Sequence, residues 1–232
     1  MTNTDEYVEK IRNITAETER VKAEMDMASQ VQAGILPSTF PAFPGQTAFD
    51  VYALMKPARN VGGDFYDFFM TDKDHIALVM ADVSDKGMPA ALFMVMSKVA
   101  INSRALSGGS PSEILKDVNR KLCENNPGNL FVTVWMAIID IRTGKGLAVN
   151  AGHEHPVLKK AGGSYELIEY EHTLMLGMFD DIDVDEHEFH LDPGDRLFVY
   201  TDGVPEANDK DGNFYGTDRM LAFEYCDKTA DE

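Results

Sequence analysis

Two short acidic stretches carry the residue types from which a cation site can be built. Asn60-Val61-Gly62-Gly63-Asp64-Phe65-Tyr66-Asp67-Phe68-Phe69 sets Asp64 directly after a glycine pair, and Ala81-Asp82-Val83-Ser84-Asp85-Lys86-Gly87 ends on a further glycine. These glycines free the backbone on the flank of each aspartate. From Asp64 to Phe69 aromatic residues alternate with acidic or polar ones, and His75-Ile76-Ala77-Leu78-Val79-Met80 is an apolar run with β-branched members. Both patterns predict strands. Antiparallel pairing of the two as a hairpin brings Asp64, at the start of one, beside Asp82, at the end of the other. Carboxylates that meet there, with only Lys86 close in sequence to offset them, call for a cation. Hard divalent ions such as Mg²⁺ or Mn²⁺ take oxygen ligands of this kind.

The elements that must hold these turns follow from the pattern on either side. Residues 4–35 carry a heptad seam, with Ile11, Thr18, Met25 and Gln32 on one set of positions and Tyr7, Ile14, Val21, Ala28 and Ile35 on the set three later. This predicts a parallel coiled coil, weakened at Thr18 and Gln32; an amphipathic helix packed on its own domain stays open beside it. Pro37, Pro41 and Pro44 end the helix and predict an extended linker. Phe49, Val51, Tyr52 and Leu54 predict a strand leading to the hairpin. A helix is predicted from Met88 to about Leu106, with Pro89 near its first turn. A second follows the capping sequence Ser110-Pro111-Ser112-Glu113, with Ile114, Leu115, Val118 and Leu122 facing inward. Strands are predicted over 131–141, with Val132, Val134, Met136 and Ile138 on one face, and over 147–150, 156–159, 165–168, 186–191 and 196–200. A last helix begins near Thr217. Strands, two helices, then strands again describe an α+β domain with helices packed on a sheet sandwich.

Composition limits the partners. A net charge of −18 over 232 residues leaves no basic surface to neutralise phosphates along a groove, so nucleic acid is excluded as a partner. With 44% apolar and 26% charged residues, the chain suits a globular protein with a real core. Cys123 and Cys226 stand far apart without a CxxC pair, which predicts reduced, structural thiols of a cytosol. No basic-then-apolar leader opens the chain and no apolar run reaches the roughly 18 residues of a spanning helix. The expected location is therefore cytoplasmic, with tethering of a longer parent at a membrane left open.

Four motifs in order and spacing give the chain a resemblance. Val61-Gly62-Gly63-Asp64-Phe65-Tyr66-Asp67, Ala81-Asp82-Val83-Ser84-Asp85-Lys86-Gly87, Asn150-Ala151-Gly152-His153 and Thr201-Asp202-Gly203-Val204-Pro205-Glu206-Ala207 resemble those of the SpoIIE/RsbU branch of the PPM metal-dependent serine/threonine phosphatases. Ala28 to Pro37 is similar to the helical linker that enters such domains. The resemblance covers about residues 28–220. It implies a protein phosphatase 2C-like β-sandwich flanked by helices over 37–232, behind an N-terminal helical extension over 1–36, with two Mn²⁺ or Mg²⁺ ions in an acidic cleft. Carried over by motif, Asp64 binds one metal, Asp82 bridges both, the main-chain carbonyl of Val83 adds a ligand, and Asp202 binds the other metal. Arg59 stands where some relatives in the wider class place a phosphate-binding arginine. The implied reaction is hydrolysis of a phosphoserine or phosphothreonine by a metal-activated water, with no covalent phosphoenzyme. No Cys-x5-Arg loop is present to suggest one. The implied substrate is a phosphorylated anti-sigma-factor antagonist, a small STAS-domain protein. An upstream sensor or activator, and a homodimer through the N-terminal helix, complete the expected partners.

The sequence departs from the family pattern at its end. Members of the branch finish with a further helix and a strand whose Asp-Asp-x-Thr motif completes a metal site, whereas this sequence stops at Ala230-Asp231-Glu232. The expectation is a chain lacking that last helix and strand, with one metal held weakly and low activity. A non-catalytic or activator-dependent signalling and dimerisation module therefore stands as the alternative function. Other features have plainer readings. Asp67 and Asp85 are expected to be solvated or to back the ligands. His153 and His155 lack a third zinc ligand at suitable spacing and are expected in a loop near the cleft. Asp209-Lys210-Asp211-Gly212-Asn213 misplaces the glycine of a calcium loop and reads as a turn. Met88, Met94 and Met96 suit core packing, or an adaptable partner surface.

Overall fold

The computed structural model describes residues 3–58, 60–124, 126–171 and 173–222. The helix α1 (Asn3–Ile35) leads into an antiparallel hairpin, β1 (Phe65–Met70) and β2 (His75–Val83). Two helices follow, α2 (Met88–Ala105) and α3 (Pro111–Glu124), then β3 (Val132–Asp140), β4 (Lys145–Ala151), β5 (Val157–Lys159), β6 (Tyr165–Leu167), β7 (His187–His190), β8 (Arg196–Phe198) and the short α4 (Thr217–Leu221). The strands form a five-stranded sheet in the order β1-β2-β3-β4-β7 and a three-stranded sheet in the order β6-β5-β8, with every pairing antiparallel.

Side-chain alternation explains the layering. Val132, Val134 and Met136 of β3 join Phe93, Met94 and Ile101 of α2 and Ile114, Leu115, Val118 and Leu122 of α3 in one core. Trp135 and Ala137, pointing the opposite way, are buried with Ala148 beneath Leu197 of the second sheet and the adjoining Val199. Because β3 lies at the middle of the larger sheet, both of its faces are dry, and each fully buried large side chain contributes about 1.5–3 kcal/mol. The helix starts also follow from local chemistry. Ser110 N donates to Glu113 Oε2 at 2.9 Å and Glu113 N to Ser110 Oγ at 3.4 Å, the reciprocal capping pair that the sequence predicts for α3.

The segment between α1 and the hairpin differs from expectation. Phe49, Val51, Tyr52 and Leu54 do not form a strand. The alternation is present, since Val51, Ala53 and Met55 pack on the core while Tyr52 and Leu54 are exposed, but among the described residues no neighbouring strand offers a ladder. Nor is the proline-rich stretch a free linker. Phe40 and Phe43 each pack on Phe68 with ring centroids 5.9 and 6.0 Å away, and the Tyr66 hydroxyl donates to the Pro37 carbonyl at 2.8 Å. Aromatic burial on β1 outweighs the extended preference of the prolines. The end of the N-terminal helix follows the packed-helix reading. Tyr7, Ile11, Ile14 and Val21 of the heptad seam are exposed, whereas Gln32 at its end, and Leu36 just beyond it, are buried on the domain. Residues 223–232, which include Cys226 and the stretch on which the expectation of a curtailed last helix falls, lie outside the described residues. Among the described residues, no helix is long and apolar enough to cross a membrane.

Candidate active site

The register of the hairpin builds the first half of the site. Phe65 lies opposite Ala81, so the next pair outward is Asp64 with Asp82, as the glycine-flanked turns predict. On the other side of β2, Asp82 is opposite Thr133 of β3. A Cβ placed on Gly63 would stand 2.7 Å from the Val83 carbonyl oxygen and 2.9 Å from Val83 Cβ. Only glycine allows the first turn to lie this close to the second, which explains the second glycine of the pair. Asp202 belongs to the tight turn after β8, where Glu206 N donates to the Asp202 carbonyl at 2.8 Å. Thr201 reaches back across the cleft, its Oγ1 donating to Asp64 Oδ2 at 2.7 Å.

Charge accumulates at this end of the sandwich. Burial, contact with Asp64 and the field of Asp202 push the Asp82 carboxyl up to about 8. Asp202 is raised as well, by burial first and then by Glu206 and Asp64. No cation figures among the causes of either shift. Three aspartates held against their own repulsion, beside a main-chain carbonyl that the Gly63 approach brings close, form an oxygen donor set that fits a hard divalent ion. Among the described residues, no three carboxylate, imidazole or thiolate side chains converge as a finished metal cage. Arg59, the sequence-predicted phosphate ligand, lies outside the described residues.

The residues around the aspartates agree with the sequence reading in part. Asp67 is buried rather than solvated; its Oδ2 accepts from Lys98 Nζ of α2 at 2.7 Å and from Asn102 Nδ2 at 3.2 Å. Asp85 is exposed, and its left-handed backbone (φ 70°) turns the chain toward α2. Gln32 of α1 grips the turn before Asp64 from outside, its Nε2 donating to the Gly62 carbonyl at 2.8 Å and its Oε1 accepting from Gly62 N at 3.1 Å. His153 lies in the loop after β4 near the cleft, as expected, but its ring is buried, with Nδ1 2.9 Å from Thr133 Oγ1 and Nε2 3.0 Å from the Tyr200 carbonyl. The only advance signal was the position of His153 in the Asn150-Ala151-Gly152-His153 motif. Asp209 accepts from Asp211 N and Asn213 N at 2.8 and 3.0 Å, so its carboxylate closes a turn, in line with the plain reading.

The two antiparallel sheets, the helices on one face and the aspartates at one end define a PP2C-like fold. The SiaA-PP2C domain of Pseudomonas aeruginosa superposes with a TM-score of 0.74 over 89% of this chain and 82% of that one; at 22% identity the likeness concerns the fold alone. The chain belongs to the SpoIIE family: the family model described as Stage II sporulation protein E matches residues 72–232, which include Asp82 and Asp202 but not Asp64. Phosphoserine phosphatase RsbU of Bacillus subtilis is 33% identical over 196 residues, 84% of this chain and 57% of RsbU. Protein IcfG of Synechocystis is 30% identical over 230 residues, 86% of this chain and 35% of IcfG. The chain thus spans between about a third and somewhat over half of these two relatives.

Proposed function

We propose that this chain is a metal-dependent protein serine/threonine phosphatase that hydrolyses a phosphoserine or phosphothreonine ester. The observation that carries the reading is geometric: the hairpin register sets Asp64 opposite Asp82, and Thr201, the residue before Asp202, donates to Asp64 at 2.7 Å. Such a site gains most from divalent cations. Metal dependence is a property of PP2C-type phosphatases, and the kinship with phosphoserine phosphatase RsbU supports the reaction.

Two Mn²⁺ or Mg²⁺ ions are the proposed complement. Asp64 would hold one, Asp202 the other and Asp82 both, with the Val83 carbonyl as a further donor. Bound there, the ions supply Lewis acidity that lowers the pKa of water and offsets charge on the phosphoryl oxygens. The chain's own part is positional. Thr201 fixes the rotamer of Asp64, Gly63 admits the Val83 carbonyl, and the hairpin register holds Asp82 between its partners. Arg59 is proposed to orient the phosphoryl group. Water adds to phosphorus as the P–O ester bond breaks, the seryl or threonyl oxygen leaves with a proton, and inorganic phosphate is released.

By resemblance, the proposed substrate is a phosphorylated STAS-type anti-sigma-factor antagonist. The proposed domains are an N-terminal helix over 1–36, which pairs with a second copy through its exposed seam and takes input from a sensor or activator, and the phosphatase domain over 37–232. Hydrolysis of an aryl phosphate with and without Mn²⁺ tests the reaction. Mn²⁺-dependent turnover abolished by Asp82→Asn is expected. The second reading is a non-catalytic or activator-dependent signalling module. Stoichiometric Mn²⁺ binding without turnover on aryl phosphate or phosphoprotein would decide for it.

A further inference from the structure

The Asn150–His153 turn contributes no aspartate to the site, yet it buries a titratable ring behind it. His153 is 3% exposed. Its main-chain N donates to Asn150 Oδ1 at 2.7 Å, and Gly152 adopts φ 69°, so the loop delivers the ring inward rather than to solvent. Nε2 stands 3.0 Å from the Tyr200 carbonyl, one residue before Thr201 and two before Asp202. A carbonyl only accepts, so Nε2 carries the hydrogen. Nδ1 therefore accepts the Thr133 hydroxyl hydrogen at 2.9 Å, and Thr133 is the residue of β3 that lies opposite Asp82 in the sheet, its Oγ1 3.3 Å from the Asp82 main-chain carbonyl. One imidazole therefore links the strand end that carries Asp82 to the turn that carries Thr201 and Asp202.

We propose that His153 is a positioning residue that sets the distance between the Asp82 and Asp202 halves of the metal centre. This rests on the metal-site reading above. The Tyr200 arm matters more. Tyr200 leads directly into Thr201, whose hydroxyl fixes Asp64, so a shift at Tyr200 displaces two of the three aspartates together. Hydrogen-bonded groups behind metal ligands typically change metal affinity by about 10–100-fold when removed.

The test separates the two arms. In His153→Gln the amide nitrogen takes the place of Nε2 and keeps the Tyr200 bond; in His153→Asn the shorter amide serves the Thr133 side and loses Tyr200. Mn²⁺ affinity is measured by calorimetry or by the loss of free-ion paramagnetic resonance signal, with thermal midpoints recorded in chelator. The expected result is near-normal affinity for His153→Gln and about a 10–100-fold loss for His153→Asn, at similar midpoints. Equal affinity in both variants and the parent overturns the proposal. Losses that follow the thermal midpoint in both variants reduce His153 to a core residue and overturn it too. A parent chain that takes up no Mn²⁺ removes the proposal together with the metal site. A parent that binds Mn²⁺ but does not turn over sinks the phosphatase reading alone, because the positioning role is read from binding.

Discussion

Thr201 Oγ1 donates to Asp64 Oδ2 at 2.7 Å, joining the first acidic turn to the last across a separation of 137 residues. The bond occupies one oxygen of Asp64, the proposed metal ligand of the first turn. It also crosses from the hairpin of the larger sheet to the turn that follows β8 of the smaller one. Thr201→Val keeps the branched shape and removes the donor. The expected outcome is about a 10–100-fold loss of Mn²⁺ affinity, with the chelated protein's thermal midpoint close to the parent's. Unchanged affinity by calorimetry would mean that the bond is incidental to the site.

Asp82 ties stability to pH in the metal-free protein. Its folded carboxyl titrates at about 8 against an ordinary 3.8, chiefly through burial and then through Asp64 and Asp202. The folded state therefore holds this proton more tightly than the unfolded chain. Stability falls as pH rises from about 4, and the full cost is present only above about 8. Asp82→Asn removes the cost. The variant is expected to be more stable than the parent in chelator at pH 8 or above, by about 1–3 kcal/mol after allowance for solvent screening. The gain shrinks on acidification and vanishes below pH 4, while stabilisation by Mn²⁺ is lost throughout. A variant less stable than the parent at pH 8 would show that the carboxylates do not repel one another.

How much of this was legible in the sequence depended on distance along the chain. The Asp64–Asp82 pairing was visible because glycine-flanked turns and a six-residue ladder fix the hairpin register locally. The Ser110–Glu113 cap was visible for the same reason. The strand expected at Phe49–Leu54 failed because alternation reports burial of one face, not the presence of a partner. Only one face of β3 was assigned, since the cover over Trp135 comes from residues about 60 positions later, such as Leu197 and Val199. Lys98–Asp67 and His153–Tyr200 join residues 31 and 47 apart, and nothing in spacing announces such pairs.

The Lys98–Asp67 pair carries its own prediction. Both side chains are nearly excluded from water, and the pair clamps α2 to the strand that begins just after Asp64. Lys98→Met strands a buried carboxylate and is expected to cost about 3–5 kcal/mol in urea unfolding. Adding Asp67→Asn removes the stranded charge, so the double variant is expected to recover part of the loss. A double variant no more stable than Lys98→Met would show that the charge was not the source of the cost.

The N-terminal helix is exposed along its first part and packed at its end, and two variants test the proposed role of each. Its first part exposes Tyr7, Ile11, Ile14 and Val21 with no cover among the described residues, as a seam for a second copy requires. Its last turns hold the turn before Asp64: Gln32 pairs with both main-chain atoms of Gly62, and Asp26 Oδ1 accepts from Asn60 Nδ2 at 2.8 Å. Deleting residues 1–24 is therefore expected to change the mass measured by light scattering and leave Mn²⁺ affinity intact. Gln32→Ala should do the reverse. It leaves the exposed seam in place but frees the Gly62–Gly63 turn, costing about 1–3 kcal/mol through the unpaired backbone groups and lowering Mn²⁺ affinity. Since Gly63 rests on the Val83 carbonyl, a loosened turn moves Asp64 relative to the Asp82–Val83 pair. Unchanged mass after the deletion would remove the dimer seam, and unchanged affinity in Gln32→Ala would uncouple the helix from the site.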